Sequence, residues 1–339
     1  MFFDIHKKNV YLWHKKLIKH KTMKKILNLI LLLLFLTMAA ACNKSDDDEP
    51  INTTPDNTTT EPENNTTNPE KNEHKKVGLV LSGGGAKGAA EIGALKVIEK
   101  QGFKIEYIAG TSIGAIVGAM YAAGYTVDEL EQFFLTLNPD DAKKSTEIHK
   151  ILSNMLQNKG VSTFADLKIP FRCVAADVNT LSEVELKEGS LLDAVMASAA
   201  IPVMYDNVQI GDQILVDGGI YNNMPVDVAI KMGAEYIIAI DLSQENESLV
   251  PPAYAGIVES VLDSPELAKT FLGDATDIVI DYFTNRPDQA KYQENIKKAD
   301  ILIHPLLQFG AMDFGADNCQ QMIEIGEKTA KEVEWNSES

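Results

Sequence analysis

The chain has 339 residues, and its 49 acidic side chains outnumber its 31 lysines and arginines, which gives a formal net charge of −18 at pH 7. Residues 1–41 carry eight lysines and one aspartate, so without them the formal charge falls to −25. A nucleic-acid surface needs clustered positive charge, so this balance disfavours nucleic acid as a partner. Anionic bilayers would also repel the acidic part, so membrane residence would require an anchor.

The N-terminal segment has the layout of a signal peptide. Met23 opens a basic start, an apolar run follows at 29–36, and small residues precede Cys42. The apolar run is too short to span a membrane comfortably, so we predict a signal peptide at residues 1–41, with Met23 as an alternative start. The small residues resemble a bacterial lipobox, which implies lipidation of Cys42. Simple cleavage and a retained anchor are the alternatives.

A polar tether is predicted after the signal peptide. Residues 43–76 contain one strongly apolar residue, Ile51, among Asn, Thr, Pro and acidic residues. Such a composition cannot build a core, so we predict that residues 42–76 form a disordered tether that begins at the lipidated cysteine. The acidic run after Cys42 resembles the export signals of bacterial surface lipoproteins. We therefore expect an outer-membrane lipoprotein of the bacterial cell envelope. The acidic run further favours exposure on the cell surface.

A glycine-rich loop follows the first predicted strand, residues 77–82, and precedes a predicted helix from Ala89 to Lys100. The loop residues are Gly83, Gly84, Gly85, Ala86, Lys87 and Gly88. Its N–H groups at a helix start could hold a phosphate or the oxyanion of an acyl-transfer reaction. A dinucleotide site, with Glu106 as the acidic partner, is the alternative, whereas the spacing excludes a P-loop.

The second motif is G-x-S-x-G, formed by Gly110, Ser112 and Gly114. It lies between a predicted strand at 105–109 and an apolar, Ala-rich helix from Ile113 to Gly124, which is the context of a nucleophile elbow. Glycines on both sides permit the strained backbone that lifts a serine hydroxyl out of the sheet. The alternative is a small-residue helix start with a capping serine. Because both loops follow parallel strands, we expect them to face one site.

The third motif, Asp217-Gly218-Gly219, ends a predicted strand at 214–217. The glycine turn could aim the Asp217 carboxylate back at Ser112 as a base, although an ordinary Asp-Gly turn explains the same residues. Among the histidines, only His304 fits the chain order of a Ser-acid-His triad. A histidine at the end of a strand is the simpler interpretation of His304, and His149 lies in a polar helical stretch.

The predicted fold class is α/β, with one domain at residues 77–335 that has a mainly parallel central sheet flanked by helices. Strands are predicted near 77–82, 105–109, 171–177, 214–217, 235–242 and 299–303. The segments 126–165 and 249–297 exceed what a crossover needs, and the second carries apolar residues that fit either core or a lid: Ile257, Val261, Leu262, Leu267, Phe271 and Leu272. Cys173 and Cys319 are predicted to be buried free thiols.

The three motifs, in this order and at this spacing, resemble the patatin-like phospholipases. The resemblance covers Lys76 to about Glu332 and includes the segments 175–177, 197–202 and 299–303. It implies Ser112 as nucleophile, Asp217 as general base without histidine, and backbone amides of the glycine loop as oxyanion donors. Those donors are Gly84, Gly85 and Gly88, within a loop that also includes Gly83 and Lys87.

The resemblance implies a serine lipid acyl hydrolase of the phospholipase A or lysophospholipase type, which acts on phospholipid or lysophospholipid and needs no cofactor and no metal. A general esterase or protease with the same serine, and a catalytically silent lipid-binding surface lipoprotein, are the alternatives. One departure from the family pattern is Glu91, which stands in the first helix where many bacterial relatives carry histidine. A solvated helix position is the simpler interpretation of Glu91, and a charge close to the site is the other.

Overall fold

The computed structural model describes residues 75–202, 204–244, 273–285 and 287–335, together with Lys269. The predicted signal peptide, Cys42 and nearly all of the tether lie outside the described residues, as do the six apolar residues proposed as core or lid. Among the helices of the described ranges, none combines the length and the apolarity that a membrane crossing requires.

One eight-stranded sheet organises the domain, in the order β5-β6-β3-β2-β1-β7-β8, with β4 also paired to β3. The strands are β1 Val77–Leu81, β2 Ile105–Thr111, β3 Phe171–Asp177, β4 Ser182–Leu186, β5 Val208–Ile210, β6 Gln213–Asp217, β7 Tyr236–Ile240 and β8 Ile301–Ile303. The pairs β3–β2, β2–β1, β1–β7 and β7–β8 are parallel, whereas β4, β5 and β6 run antiparallel to their neighbours. The predicted α/β class and mainly parallel sheet are confirmed. The strands β4 and β5 were not among the predicted strands.

Helices cover both faces of the sheet. They are α1 Ala89–Lys100, α2 Ile113–Ala122, α3 Val127–Thr136, α4 Ser145–Lys159, α5 Leu191–Ser198, α6 Val226–Met232, α7 Thr276–Asn285, α8 Pro287–Ile296 and α9 Ala316–Glu332. The long segment at 126–165 therefore contains α3 and α4. Its residue His149 is exposed, as predicted for a polar helical stretch.

Successive residues of β1 point to opposite faces of the sheet and pack into two different hydrophobic cores. Leu79 and Leu81 belong to the larger core, which includes α1, α2 and α9, whereas Val80 belongs to the core on the opposite face with α6. All three side chains are fully buried, and each contributes about 1.5–3 kcal/mol relative to an exposed position. A strand apolar on both faces is typical of a sheet with helices on both sides. Cys173 and Cys319 are buried free thiols, which confirms that prediction.

Candidate active site

Ser112 lies in the turn between β2 and α2, in a backbone conformation that few non-glycine residues adopt. Its φ is 56° and its ψ is −123°. The flanking glycines make this turn possible: a Cβ atom at Gly110 would lie 2.4 Å from Gly114 O, and one at Gly114 would lie 2.3 Å from Leu81 O. Strain of this kind persists only where surrounding structure enforces it, and it is concentrated at functional sites. The sharp strand-to-helix turn predicted at this motif, the elbow, is therefore present.

The register of β3 explains how Asp217 reaches Ser112. Thr111, the last residue of β2, pairs with Val174, and Asp217 pairs with the next residue of β3, Ala175. The end of β6 thus lies beside the residue that follows β2. As a result, Ser112 Oγ donates a hydrogen bond of 2.6 Å to Asp217 Oδ2. A short hydroxyl–carboxylate bond of this length is charge-assisted and stronger than a neutral one.

The Asp217 carboxylate is held on both oxygens and shielded from water. Its Oδ1 accepts a 2.8 Å hydrogen bond from the N–H of Gly219 while Oδ2 accepts from Ser112. A Cβ atom at Gly218 would lie 2.1 Å from Val174 O, so the turn packs directly against β3. Burial raises the pKa of Asp217 from 3.8 to about 6, although the hydrogen bonds from Ser112 and Gly219 lower it in part. Such a carboxylate is ionised at neutral pH and is more basic than an ordinary aspartate.

Ser198, at the end of α5, holds the backbone of Ser112 in place and was not identified by the sequence motifs. The N–H of Ser112 donates to Ser198 Oγ at 3.0 Å, and Ser198 Oγ donates to Val174 O at 2.6 Å. The hydroxyl therefore bridges β2 and β3 at the point where the elbow leaves the sheet. The segment 197–202 contributes to the family resemblance, but a buried serine carries no recognisable pattern that would identify Ser198 from the sequence.

For the ester hydrolysis proposed below, replacement of Ser198 by alanine is expected to lower kcat by about 10–100-fold, since a small displacement of a reacting group costs up to about 100-fold in rate. It also removes the acceptor of the Ser112 N–H and one donor to the Val174 carbonyl, which costs about 1–3 kcal/mol of stability. Initial rates and urea unfolding measure both effects, with Ser153→Ala in α4 as the control. An unchanged kcat in the folded variant would exclude this supporting role.

The glycine loop lies against the elbow, because a Cβ atom at Gly83 would be 3.0 Å from Ser112 Cβ. Two of its N–H groups are already used: that of Gly83 donates to Asn223 O at 3.2 Å, and that of Lys87 donates to Gly84 O at 3.3 Å. Among the described residues, the N–H groups of Gly84 and Gly85 have no hydrogen-bond acceptor. The N–H groups of Gly84 and Gly85 are therefore available to a ligand oxygen, whereas those of Gly83 and Lys87 are used within the fold.

The loop between β8 and α9 holds the glycine loop in place from outside. The N–H of Ala86 donates to Ala311 O at 2.8 Å. Gly85 has a φ of 59°, and a Cβ atom there would lie 2.1 Å from the same carbonyl oxygen. Lys87 is almost completely buried beneath the loop. Gly88 lies at the start of α1, where a Cβ atom would be 2.3 Å from the Ile113 side chain. Gly85 therefore needs to be glycine for two independent reasons: its φ is positive, and a Cβ atom would collide with Ala311 O.

His304 does not reach the site. Its Nδ1 lies 2.9 Å from Asp241 Oδ2, so its carboxylate partner is not Asp217. His304 follows β8, which is three strands from β2 in the sheet, a separation of roughly 14 Å at the usual strand spacing. The structure therefore does not support a triad of Ser112 with His304, and it supports the simpler interpretation of a histidine at the end of a strand.

The predicted exposure of Glu91 is wrong. The simpler interpretation placed it in solvent, but its side chain is fully buried in α1. Helix α9 covers α1 so closely that a Cβ atom at Gly93 would lie 1.9 Å from Ile323 O. Neither carboxylate oxygen of Glu91 has a hydrogen-bond partner in the described part of the chain. Burial raises the pKa of Glu91 well above its ordinary range. This helix position is internal because a second helix layer lies over it.

Replacement of Glu91 by methionine is expected to raise the free energy of unfolding at pH 7 by about 1–3 kcal/mol, the cost of a buried polar group without partners. The folded protein retains a proton that the unfolded chain loses above its ordinary pKa, so wild-type stability falls as the pH rises. Both Glu91→Met and Glu91→Gln should flatten this dependence between pH 5 and 8. Urea unfolding at several pH values measures it, and a Glu91→Met variant less stable than wild type would contradict the account.

Comparison with known proteins gives a consistent match to one family. The family model described as patatin-like phospholipase matches residues 79–230, which include the glycine loop, Ser112 and Asp217. Patatin-like phospholipase domain-containing protein 6 of Mus musculus is 31% identical over 192 residues, which are 51% of this chain and 14% of that protein. An uncharacterised NTE family protein of Mycobacterium tuberculosis is 29% identical over 210 residues, 58% of this chain and 35% of that protein.

The chain therefore spans well under half the length of these relatives. Among solved structures, VipD of Legionella pneumophila is 13% identical, with 74% of this chain and 67% of that chain covered and a TM-score of 0.40. The type III effector ExoU is 12% identical, with 77% and 54% covered and a TM-score of 0.37. The sequence match and the α/β sheet agree with the resemblance carried by the three motifs, and residues 79–230 match the patatin-like phospholipase family.

Proposed function

We propose that this protein is a serine lipid acyl hydrolase of the phospholipase A or lysophospholipase type, with Ser112 as nucleophile and Asp217 as general base. The 2.6 Å hydrogen bond from Ser112 Oγ to Asp217 Oδ2, in a strained elbow, is the observation that carries the proposal. The family match over residues 79–230 supports a lipid substrate.

In the proposed reaction, Ser112 Oγ attacks the ester carbonyl carbon while its proton moves to Asp217 Oδ2. The carbonyl oxygen becomes an oxyanion that accepts hydrogen bonds from the N–H groups of Gly84 and Gly85, each worth about 3 kcal/mol. Collapse of the tetrahedral intermediate breaks the ester C–O bond, and Asp217 returns the proton to the leaving alcohol. Water then attacks the acyl-enzyme while Asp217 takes a proton from it. The bond from the acyl carbon to Ser112 Oγ breaks, Asp217 returns the proton to Oγ, and the fatty acid leaves.

Fatty-acid release from phosphatidylcholine and lysophosphatidylcholine vesicles tests the proposal, with Ser112→Ala as the matched inactive variant. We expect release by wild type and none above background by the variant. Parallel assays with a short p-nitrophenyl ester and with casein separate the alternatives. Hydrolysis of the ester or of casein without any action on lipid would favour a general esterase or a protease, and no hydrolysis of any substrate would favour a silent lipid-binding protein.

The pH dependence of kcat/KM should report Asp217. Because burial raises the pKa of this carboxyl to about 6, the base is lost by protonation as the pH falls through that value. We expect the acidic limb of the kcat/KM profile to have an apparent pKa near 6 rather than near 4, and activity to be full above pH 7. Initial rates between pH 4 and 9 on a soluble ester measure this limb, and a midpoint at or below pH 4.5 would contradict it.

We also propose that the protein is a cell-envelope lipoprotein anchored through Cys42. The basic start, the apolar run and the small residues before Cys42 support this, and the acidic domain needs such an anchor at an anionic membrane. Mass spectrometry of the N-terminal peptide from membranes tests it: a diacylglyceryl mass on Cys42 is expected. Release of the protein to the soluble fraction by Cys42→Ser would agree, and an unmodified cysteine in the mature chain would overturn it.

A further inference from the structure

Asn223 makes hydrogen bonds with both the N–H and the C=O of Gly83 in the glycine loop. Its main-chain carbonyl accepts the Gly83 N–H at 3.2 Å, and its side-chain Nδ2 donates to Gly83 O at 3.2 Å. Nδ2 also lies 3.5 Å from Ser243 Oγ. The Gly83 carbonyl can only accept, so the side chain must present its nitrogen there. Both polar groups of Gly83 are thereby fixed by one residue.

The geometry of a trans peptide gives this contact a consequence for the neighbouring residue. The C=O and N–H of one planar peptide unit point in opposite directions. The carbonyl of Gly83 shares its peptide unit with the N–H of Gly84, so the bond from Asn223 fixes the direction of that N–H. Gly83 itself has no room for change, because a Cβ atom there would lie 2.3 Å from Asn223 Oδ1 and 3.0 Å from Ser112 Cβ.

The segment that contains Asn223 also touches the other parts of the site. Asp217 begins it, and Asn222 O accepts a 2.8 Å hydrogen bond from the hydroxyl of Thr111, the residue before the nucleophile. A short stretch of chain therefore supplies the base, holds the elbow and fixes the glycine loop. Asn223 Oδ1 is buried without a hydrogen-bond partner among the described residues. The Asn223 amide therefore makes hydrogen bonds only through Nδ2 in the described part of the chain, which points to a role for Nδ2.

We propose that Asn223 is a positioning residue that aims the Gly84 N–H at the oxyanion, an inference that rests on the proposed function. Asn223→Asp keeps the size of the side chain but replaces the donor with an oxygen that repels Gly83 O. We expect it to lower kcat about 100–1,000-fold, the effect of losing one oxyanion donor, and to change KM less than threefold. Asn154→Asp, on the exposed surface of α4, is the matched control.

Two readouts separate positioning from loss of structure. The first readout is inhibition by a long-chain trifluoromethyl ketone, whose adduct with serine carries an oxyanion. Its inhibition constant should rise about 100-fold in Asn223→Asp, whereas the affinity for the corresponding alcohol should not change. In the full chain labelled with ¹⁵N-glycine and free of ligand, the Gly84 amide resonance should shift in Asn223→Asp and stay fixed in Asn154→Asp.

An unchanged Gly84 resonance would overturn the inference whether or not the wild type hydrolyses lipid. A parallel loss in KM and in alcohol binding would overturn it as well, since it would indicate general disruption. If the wild type hydrolyses no ester while Gly84 shifts as expected, the proposed function fails and the positioning contact stands.

Discussion

Asp217→Asn is expected to lower kcat for ester hydrolysis by about 10⁴-fold or more, with little change in KM. The amide cannot take the Ser112 proton, and loss of a residue that acts as a unit with the nucleophile has cost about 10⁴–10⁶-fold in serine hydrolases. The amide oxygen can still accept a hydrogen bond, so the elbow should keep its shape. Initial rates on lysophosphatidylcholine measure the loss, with Asp212→Asn, an exposed carboxylate on the hairpin before β6, as the control.

The same substitution should not destabilise the protein at neutral pH. Because the pKa of Asp217 is raised to about 6 in the fold, the ionised form is disfavoured there by roughly 3 kcal/mol relative to the unfolded chain. The folded state holds a proton that the unfolded state releases between pH 3.8 and about 6, so stability falls as the pH rises through this window. Asp217→Asn removes that loss, and its free energy of unfolding at pH 7.5 should equal or exceed that of wild type. Retention of more than a tenth of the activity would exclude Asp217 as the base.

Gly114→Ala is expected to have the largest effect on stability, a loss of about 3 kcal/mol or more. The new Cβ atom would lie 2.3 Å from Leu81 O and 2.6 Å from Leu81 C and Ser82 O. These are backbone atoms of β1 and its exit, so no side-chain rotation relieves the contact, and overpacking of this kind typically costs about 1–3 kcal/mol or more. The elbow and the glycine loop would be pushed apart, and activity should be lost with stability.

Urea unfolding followed by circular dichroism measures this effect. Gly315→Ala is the matched control, because the nearest atom to its new Cβ would be Asn318 Nδ2 at 4.0 Å. It should cost less than about 1 kcal/mol, as expected for a change at the residue before α9. If Gly114→Ala were as stable as Gly315→Ala, the close packing of the elbow against β1 would be wrong.

The parts of this protein that the sequence predicts well are those with a local signal. The strand at Phe171–Asp177 and the helix Ala89–Lys100 were predicted with their observed bounds, because an apolar run after Pro170 defines the strand and Gly88 and Gly102 flank the helix. The turn at Ser112 was predicted for the same reason, since glycine spacing determines backbone shape. All of these depend on residues adjacent in the chain.

The parts that escaped prediction depend on contacts distant in the chain. β4, at 182–186, alternates acidic and apolar residues, a composition that fits a loop as well as a strand. β5 has only three residues. Ser198 contacts Ser112 across 86 residues, and Asn223 contacts Gly83 across 140. Glu91 was misplaced because its burial depends on α9, more than 200 residues further along. Pairing register and helix layering decide such contacts, and neither has a local pattern.

The most direct test of the central claim is mass spectrometry of the protein quenched in acid during turnover of a phospholipid with one defined acyl chain. We expect the mass of that acyl group on the peptide containing Ser112 and its absence from Ser112→Ala. In Asp217→Asn we expect slower acylation at the same residue. An acyl group on a different side chain, or fatty-acid release by Ser112→Ala at the wild-type rate, would contradict the assignment of Ser112 as the nucleophile.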